Sequence, residues 1–134
     1  MKIYTSYFAR IRQLPPSIVT ISISLYPPKG YQGIRYTKLA PTDQILREYK
    51  AGGSIERYTA AYQRDVLSKL DPVALVANLE DYFGGKDISF VCYEKSGDFC
   101  HRHLVAEWLR AAGFPVEEWR PEDDQFSLFE GEFK

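Results

Sequence analysis

The sequence predicts an α/β domain: a small, mostly parallel sheet covered by about four helices. Three observations predict it. Short apolar runs occur near residues 2–5, 17–24, 88–93 and 116–119, a block of helical stretches separates the second run from the third, and the connections are too long for hairpins. At 134 residues the chain has the length of one domain. Residues 1–120 are expected to form it, with 121–134 an acidic, aromatic tail.

Taken in order, Lys2–Thr5 opens the sheet. In Ser17–Ser24 the residues Val19, Ile21, Ile23 and Leu25 fall on one face, while Thr20, Ser22 and Ser24 alternate with them. Pro27, Pro28 and Gly30 then break regular structure, and an aromatic, basic loop runs to Leu39. Thr42 is the expected N-cap of a short helix ending near Gly52-Gly53. Ser54 caps a longer helix through Leu70, whose Tyr58, Tyr62, Val66 and Leu70 make one buried stripe. Asp71-Pro72 pairs a cap with a first-turn proline and starts a third helix running to Gly84-Gly85. The run Ile88–Tyr93 is apolar enough for a central strand covered on both faces. Asp98 is the expected cap of a fourth helix stopping at Gly113, and Val116–Trp119 adds a last strand.

Composition excludes several classes. No stretch is long and apolar enough to span a membrane, so no membrane partner is expected, and the N-terminus lacks the apolar core of a secretory signal. Two cysteines make no disulfide framework, so a cytoplasmic, reducing location is expected. The net charge of −1 hides an asymmetry. Residues 1–70 hold 11 Lys/Arg against 4 Asp/Glu, whereas residues 71–134 hold 6 against 14, and eight of the ten tyrosines lie in the basic half. Basic charge interleaved with tyrosine suits phosphates and bases, which points to a nucleic-acid or nucleotide partner. Solvated helix faces would give the same composition.

The chemistry concentrates between Cys92 and His103, where the buried-looking strand passes into the fourth helix. Ligands of open α/β sheets bind outside the carboxyl ends of the strands, and a helix start offers free N–H groups to an anion. A period of two puts Cys92 and Glu94 on one side of the strand. Helical spacing puts His101 on the inner stripe with Leu104, Val105, Trp108 and Ala112, and leaves Arg102 towards the rim. Cys92, Glu94, Cys100 and His101 are therefore expected to converge beneath the loop, with Arg102 at its mouth. Three chemistries fit. A thiolate beside His101 or the helix start is a nucleophile, with Glu94 as orienter or proton acceptor. Two thiolates and an imidazole can bind zinc, although Cys-x7-Cys-His lacks the tight pair spacing of common zinc sites, and no metal is assigned on this pattern. Arg102 can grip phosphate or carboxylate in a bidentate manner. Two core cysteines and a satisfied core histidine would leave the same residues in place.

The pattern Cys92-x-Glu94 followed by Cys100-His101-Arg102 at a helix start resembles the domain-of-unknown-function 488 (DUF488) family. The likeness extends to the opening strand and to Leu39-Ala40-Pro41. It implies that Cys92, Glu94, Cys100, His101 and Arg102 form the family's site; the family's name assigns no reaction and no cofactor. Longer members carry an Asp-Val-Arg-like element after the second strand, where this chain reads Ser22-Ile23-Ser24-Leu25.

The tail contains Gln125-Phe126-Ser127-Leu128-Phe129, which resembles the peptide that docks bacterial replication and repair proteins on the β sliding clamp. Leu128 and Phe129 would fill an apolar pocket while Gln125 hydrogen-bonds beside it; alternatively the same residues pack back as an edge strand. The reading is thus a nucleic-acid- or nucleotide-associated protein with a Cys/Glu/Cys-His-Arg pocket of catalytic residue types. The alternatives are a non-catalytic DNA- or clamp-binding module and a zinc-stabilised domain.

Overall fold

The computed structural model describes residues 1–94 and 99–121. Five strands, β1 (Ile3–Tyr7), β2 (Val19–Ser22), β3 (Ile34–Arg35), β4 (Ile88–Cys92) and β5 (Val116–Glu118), form one sheet in the order β3-β2-β4-β1-β5. Every pairing is parallel, as the long connections require. The helices are α1 (Asp43–Lys50), α2 (Ile55–Asp65), α3 (Pro72–Tyr82) and α4 (His101–Ala111). None is long and apolar enough to cross a membrane.

Local chemistry sets the helix starts. Thr42 and Ser54 accept from the backbone N–H groups of Ile45 and Arg57, and Asp71 accepts from Val73 and Ala74 ahead of the proline at the first turn. Gly113 ends α4 at φ +96°, a left-handed conformation that favours glycine. The expected third strand is central: all five residues of β4 are buried, with Ile3 and Tyr7 of β1 in register with Ile88 and Cys92. Ile3, Ile21, Ile88, Phe90 and Val116 of the sheet join the stripes of α2, α3 and α4 in one core.

Three boundaries differ from the expectations. The loop after Pro28 contributes a two-residue edge strand, β3, too short to show a period in sequence. The helix expected to reach Leu70 stops at Asp65, and a 3-10 turn over Leu67–Lys69 carries the chain on; Val66 and Leu67 stay buried. The last helix starts at His101, so its cap position is Cys100, which makes no capping hydrogen bond. Asp98 lies outside the described residues.

Tyr62 ties the helical layer to the loop before α1. It is fully buried, and its hydroxyl donates to the Leu39 carbonyl at 2.5 Å. Replacing Tyr62 with phenylalanine leaves that carbonyl buried and unpaired. We expect a loss of about 1–3 kcal/mol, read as a lower urea midpoint at unchanged m-value.

Candidate functional site

The site is assembled where β2 and β4 end and α4 begins. Cys92 is the last residue of β4, and Cys100 and His101 are the cap and first residue of α4. The Cys92 and Cys100 sulfurs and a ring nitrogen of His101 lie within 4.8 Å of one another, all three residues buried. The two cysteines are joined as a disulfide, their Cα atoms 7.1 Å apart, so the expectation of separate thiols is corrected for this state. The strand end and the helix start bring together residues eight apart in sequence, and pair spacing alone does not reveal that proximity.

His101 faces two ways. Its Nε2 is 2.7 Å from the Ile23 carbonyl, which can only accept, so Nε2 carries the proton and donates. The other nitrogen, Nδ1, then presents a lone pair, and Cys100 Sγ lies 3.9 Å from it. Burial depresses the imidazole pKa to about 4, against the opposing pull of the Ile23 hydrogen bond and with Arg102 adding to the depression. The ring is neutral at pH 7.

Arg102 is not at the rim. Its side chain is fully buried, and its guanidinium reaches across to β5. Nε and Nη2 donate to the two carboxylate oxygens of Glu118 at 3.0 and 2.9 Å, while Nη1 donates to Cys92 Sγ at 3.2 Å and to the Glu94 carbonyl. The guanidinium also lies over the Tyr7 ring, 5.5 Å from its centroid. Helical spacing alone put this residue towards solvent. The half-buried acid that draws it inward, Glu118, sits sixteen residues away and carries no mark in the sequence. Arg102 is occupied as a cross-link and does not line the cavity.

That cavity, about 420 Å³, opens above the disulfide. Cys92, Cys100 and His101 line it, and Glu94, past the end of β4 and exposed, stands at its edge. The remaining walls come from three regions: Ser24, Leu25 and Tyr26 beyond β2; Pro41 with Leu46, Tyr49 and Lys50 of α1; and Tyr58 of α2 with Tyr93 and Phe99. Tyr49, Tyr58 and Phe99 form a ring cluster with centroids 5.0–5.7 Å apart. Burial first, and then the charge of Glu94, raises the Tyr58 phenol well above its ordinary value, so it stays a neutral hydroxyl. Ser24 is 5% exposed, and its hydroxyl has no hydrogen-bond partner among the described residues. The sequence reading missed Ser24, Tyr49, Lys50 and Phe99. Only the polar alternation running out beyond β2 marked Ser24. Gln125, Leu128 and Phe129, the tail residues of the clamp reading, lie outside the described residues.

A family model described as DUF488-N3a, active DUF488-N3 subclade, matches residues 3–113. No curated protein matches the chain, and no solved structure matches it.

Two outcomes test this geometry. Glu118→Ala strands a buried guanidinium and is expected to destabilise the fold by about 3 kcal/mol, since Glu118 is only one-fifth exposed. Arg47→Ala, which breaks the exposed pair with Asp43 at 2.8 Å, should cost no more than about 0.5 kcal/mol in the same urea titration. The second outcome concerns pH. His101 has a folded pKa near 4, below its unfolded value of 6.5, so the unfolded chain binds the extra proton between those values. Its stabilising contribution is present above pH 6.5 and is lost as pH falls towards 4, by about 3 kcal/mol in all. His101→Gln keeps a donor for Ile23 but does not titrate, so its stability should fall less steeply over that window in paired urea titrations.

Proposed function

The chain belongs to the DUF488 family, and from that premise we propose that it is an enzyme acting on a nucleotide or a nucleotide-like ligand, with its chemistry in the cavity above Cys92, Cys100 and His101. The single observation that carries this reading is the meeting of a sulfur–imidazole corner with a ring-lined cavity at the carboxyl ends of the parallel strands. The subclade's description as active supports a catalytic over a purely structural corner.

Each wall has a matching part of such a ligand. Tyr49, Tyr58 and Phe99 offer ring faces and edges to a planar base. The Ser24 hydroxyl, unpaired among the described residues, offers a hydrogen bond to the base edge. Lys50 offers a cation to a phosphate, the part that Arg102 cannot play while Glu118 holds it. Cys92 or Cys100 is the reacting or ligating thiol. His101 presents its Nδ1 lone pair as proton acceptor or ligand, and Glu94 acts as acid/base or orienter at the mouth. Arg102 is a positioning residue: it holds the Cys92 sulfur and the main chain of Glu94. As a disulfide the pair can neither attack nor ligate. A thiol reductant, supplying two electrons and two protons, restores both thiols.

Calorimetry of reduced, metal-free protein against AMP, GMP, CMP and UMP tests the reading. At least one nucleotide should bind, and Ser24→Ala and Lys50→Ala should each weaken it about tenfold, the worth of one hydrogen bond or charge contact. Bound nucleotide should also slow iodoacetamide labelling of the two cysteines. No binding at millimolar nucleotide, or binding that neither variant changes, removes the proposal. Binding without any turnover would leave a non-catalytic binding module.

A further inference from the structure

We propose that in the reduced protein Cys92, Cys100 and His101 hold one zinc ion whose fourth position opens into the cavity. This rests on the reading of that cavity as the functional site, and it differs from a zinc that only stabilises the fold.

The donor set comes first. Two sulfurs and one ring nitrogen within 4.8 Å of one another are close enough to share an ion. Zinc–sulfur and zinc–nitrogen bonds of roughly 2.3 and 2.05 Å at a tetrahedral angle place two such ligands about 3.6 Å apart. Cys100 Sγ and His101 Nδ1 are 3.9 Å apart in the disulfide state, so that pair needs little movement. Thiolate and imidazole donors suit zinc over magnesium or calcium, and two thiolates balance its charge.

The surroundings of the donors supply the second observation. A metal-bound imidazole is normally steered by a hydrogen bond from its other nitrogen to a carbonyl or carboxylate. His101 has that bond, from Nε2 to Ile23, and it leaves Nδ1 as the free lone pair on the sulfur side. With the sulfurs joined, Cys100 has no S–H to offer that lone pair. Arg102 Nη1 already donates to Cys92 Sγ at 3.2 Å, a contact that steadies a thiolate ligand.

The coordination number follows from what is missing. Closed structural zinc sites use four protein ligands, whereas three ligands facing a cavity leave one position for water or substrate. Among the described residues the cluster offers three, and all three line the cavity. The chemistry balances. A phosphine reductant and one water convert the disulfide to two thiols and a phosphine oxide, and the ion then displaces both thiol protons as two zinc–sulfur bonds form.

The experiment uses the full chain, reduced with a phosphine, stripped with a chelator and titrated with zinc against a chromophoric competitor. The reduced protein should take up one zinc, and the oxidised protein should take up none at the same concentration. Cys92→Ser and Cys100→Ser should each weaken binding at least about 100-fold, and His101→Gln about 10- to 100-fold, with the fold checked by far-ultraviolet circular dichroism. Cobalt in place of zinc should give intense visible bands of a tetrahedral ion and thiolate-to-cobalt charge transfer in the near ultraviolet, and azide should shift the visible bands. Failure of the reduced wild type to bind zinc, or binding unchanged in Cys92→Ser, overturns the proposal. So does a cobalt spectrum that azide leaves unchanged, because the fourth position is then filled by protein. If a cysteine variant misfolds, absence of charge transfer in the cobalt-loaded wild type overturns it equally. Nucleotide binding by the metal-free protein is measured separately, so a failed zinc site with intact nucleotide binding removes this inference alone.

Discussion

A guanidinium stays charged at any pH a protein experiences, so burying one leaves the fold a single option: every N–H that loses water must meet an acceptor. Four of the five N–H groups of Arg102 meet the Glu118 carboxylate, the Cys92 sulfur and the Glu94 carbonyl, drawn from β5 and from the end of β4. This constraint sets the rotation of α4 about its own axis. With that rotation set, the residue before Arg102 points its imidazole at the end of β2, and the residue before that reaches the end of β4. Three consecutive residues thus address three strands. Cys100-His101-Arg102 is therefore one mechanical unit, and its members cannot be repositioned singly.

The second anchor of the same unit is the far edge of the sheet. Glu118 also accepts from the Thr5 hydroxyl at 2.7 Å, and Arg110 grips the Val116 carbonyl through two N–H groups, so β5 is held from α4 at both ends. A strand of three residues has little pairing of its own, and these side-chain bonds compensate for its shortness. The cavity touches the same cross-link, because Cys92 and Glu94, which Arg102 holds, are among its lining residues.

Much of the frame was legible in sequence because it is written in local chemistry. Thr42, Ser54 and Asp71-Pro72 announce helix starts through bonds made within three residues, and the β4 run announces its central place through unbroken apolarity. The cysteine–histidine corner was legible too, since adjacency and strand-to-helix geometry leave those side chains little room to scatter. What was not legible depends on partners far away in the chain. The inward turn of Arg102 needs Glu118, and β3 exists only because Ile34 and Arg35 pair beside Ile21 and Ser22. The cavity wall was hidden for the same reason: Ser24, Tyr49 and Phe99 come from separate elements and have no common period.

The strand order also has a kinetic side. β1 lies between β4 and β5, both made more than eighty residues later, and β4 separates it from β2. A growing chain therefore holds its first strand without a partner until the fourth has been synthesised, and loop closure over that distance must precede any reward from pairing. The central strand that joins β1 to β2 is the one ending in Cys92. Assembly of the corner and the joining of β1 to the β2–β3 pair are then the same late event, and a chain arrested before it exposes the unpaired β1 and the open edge of β2 to other chains.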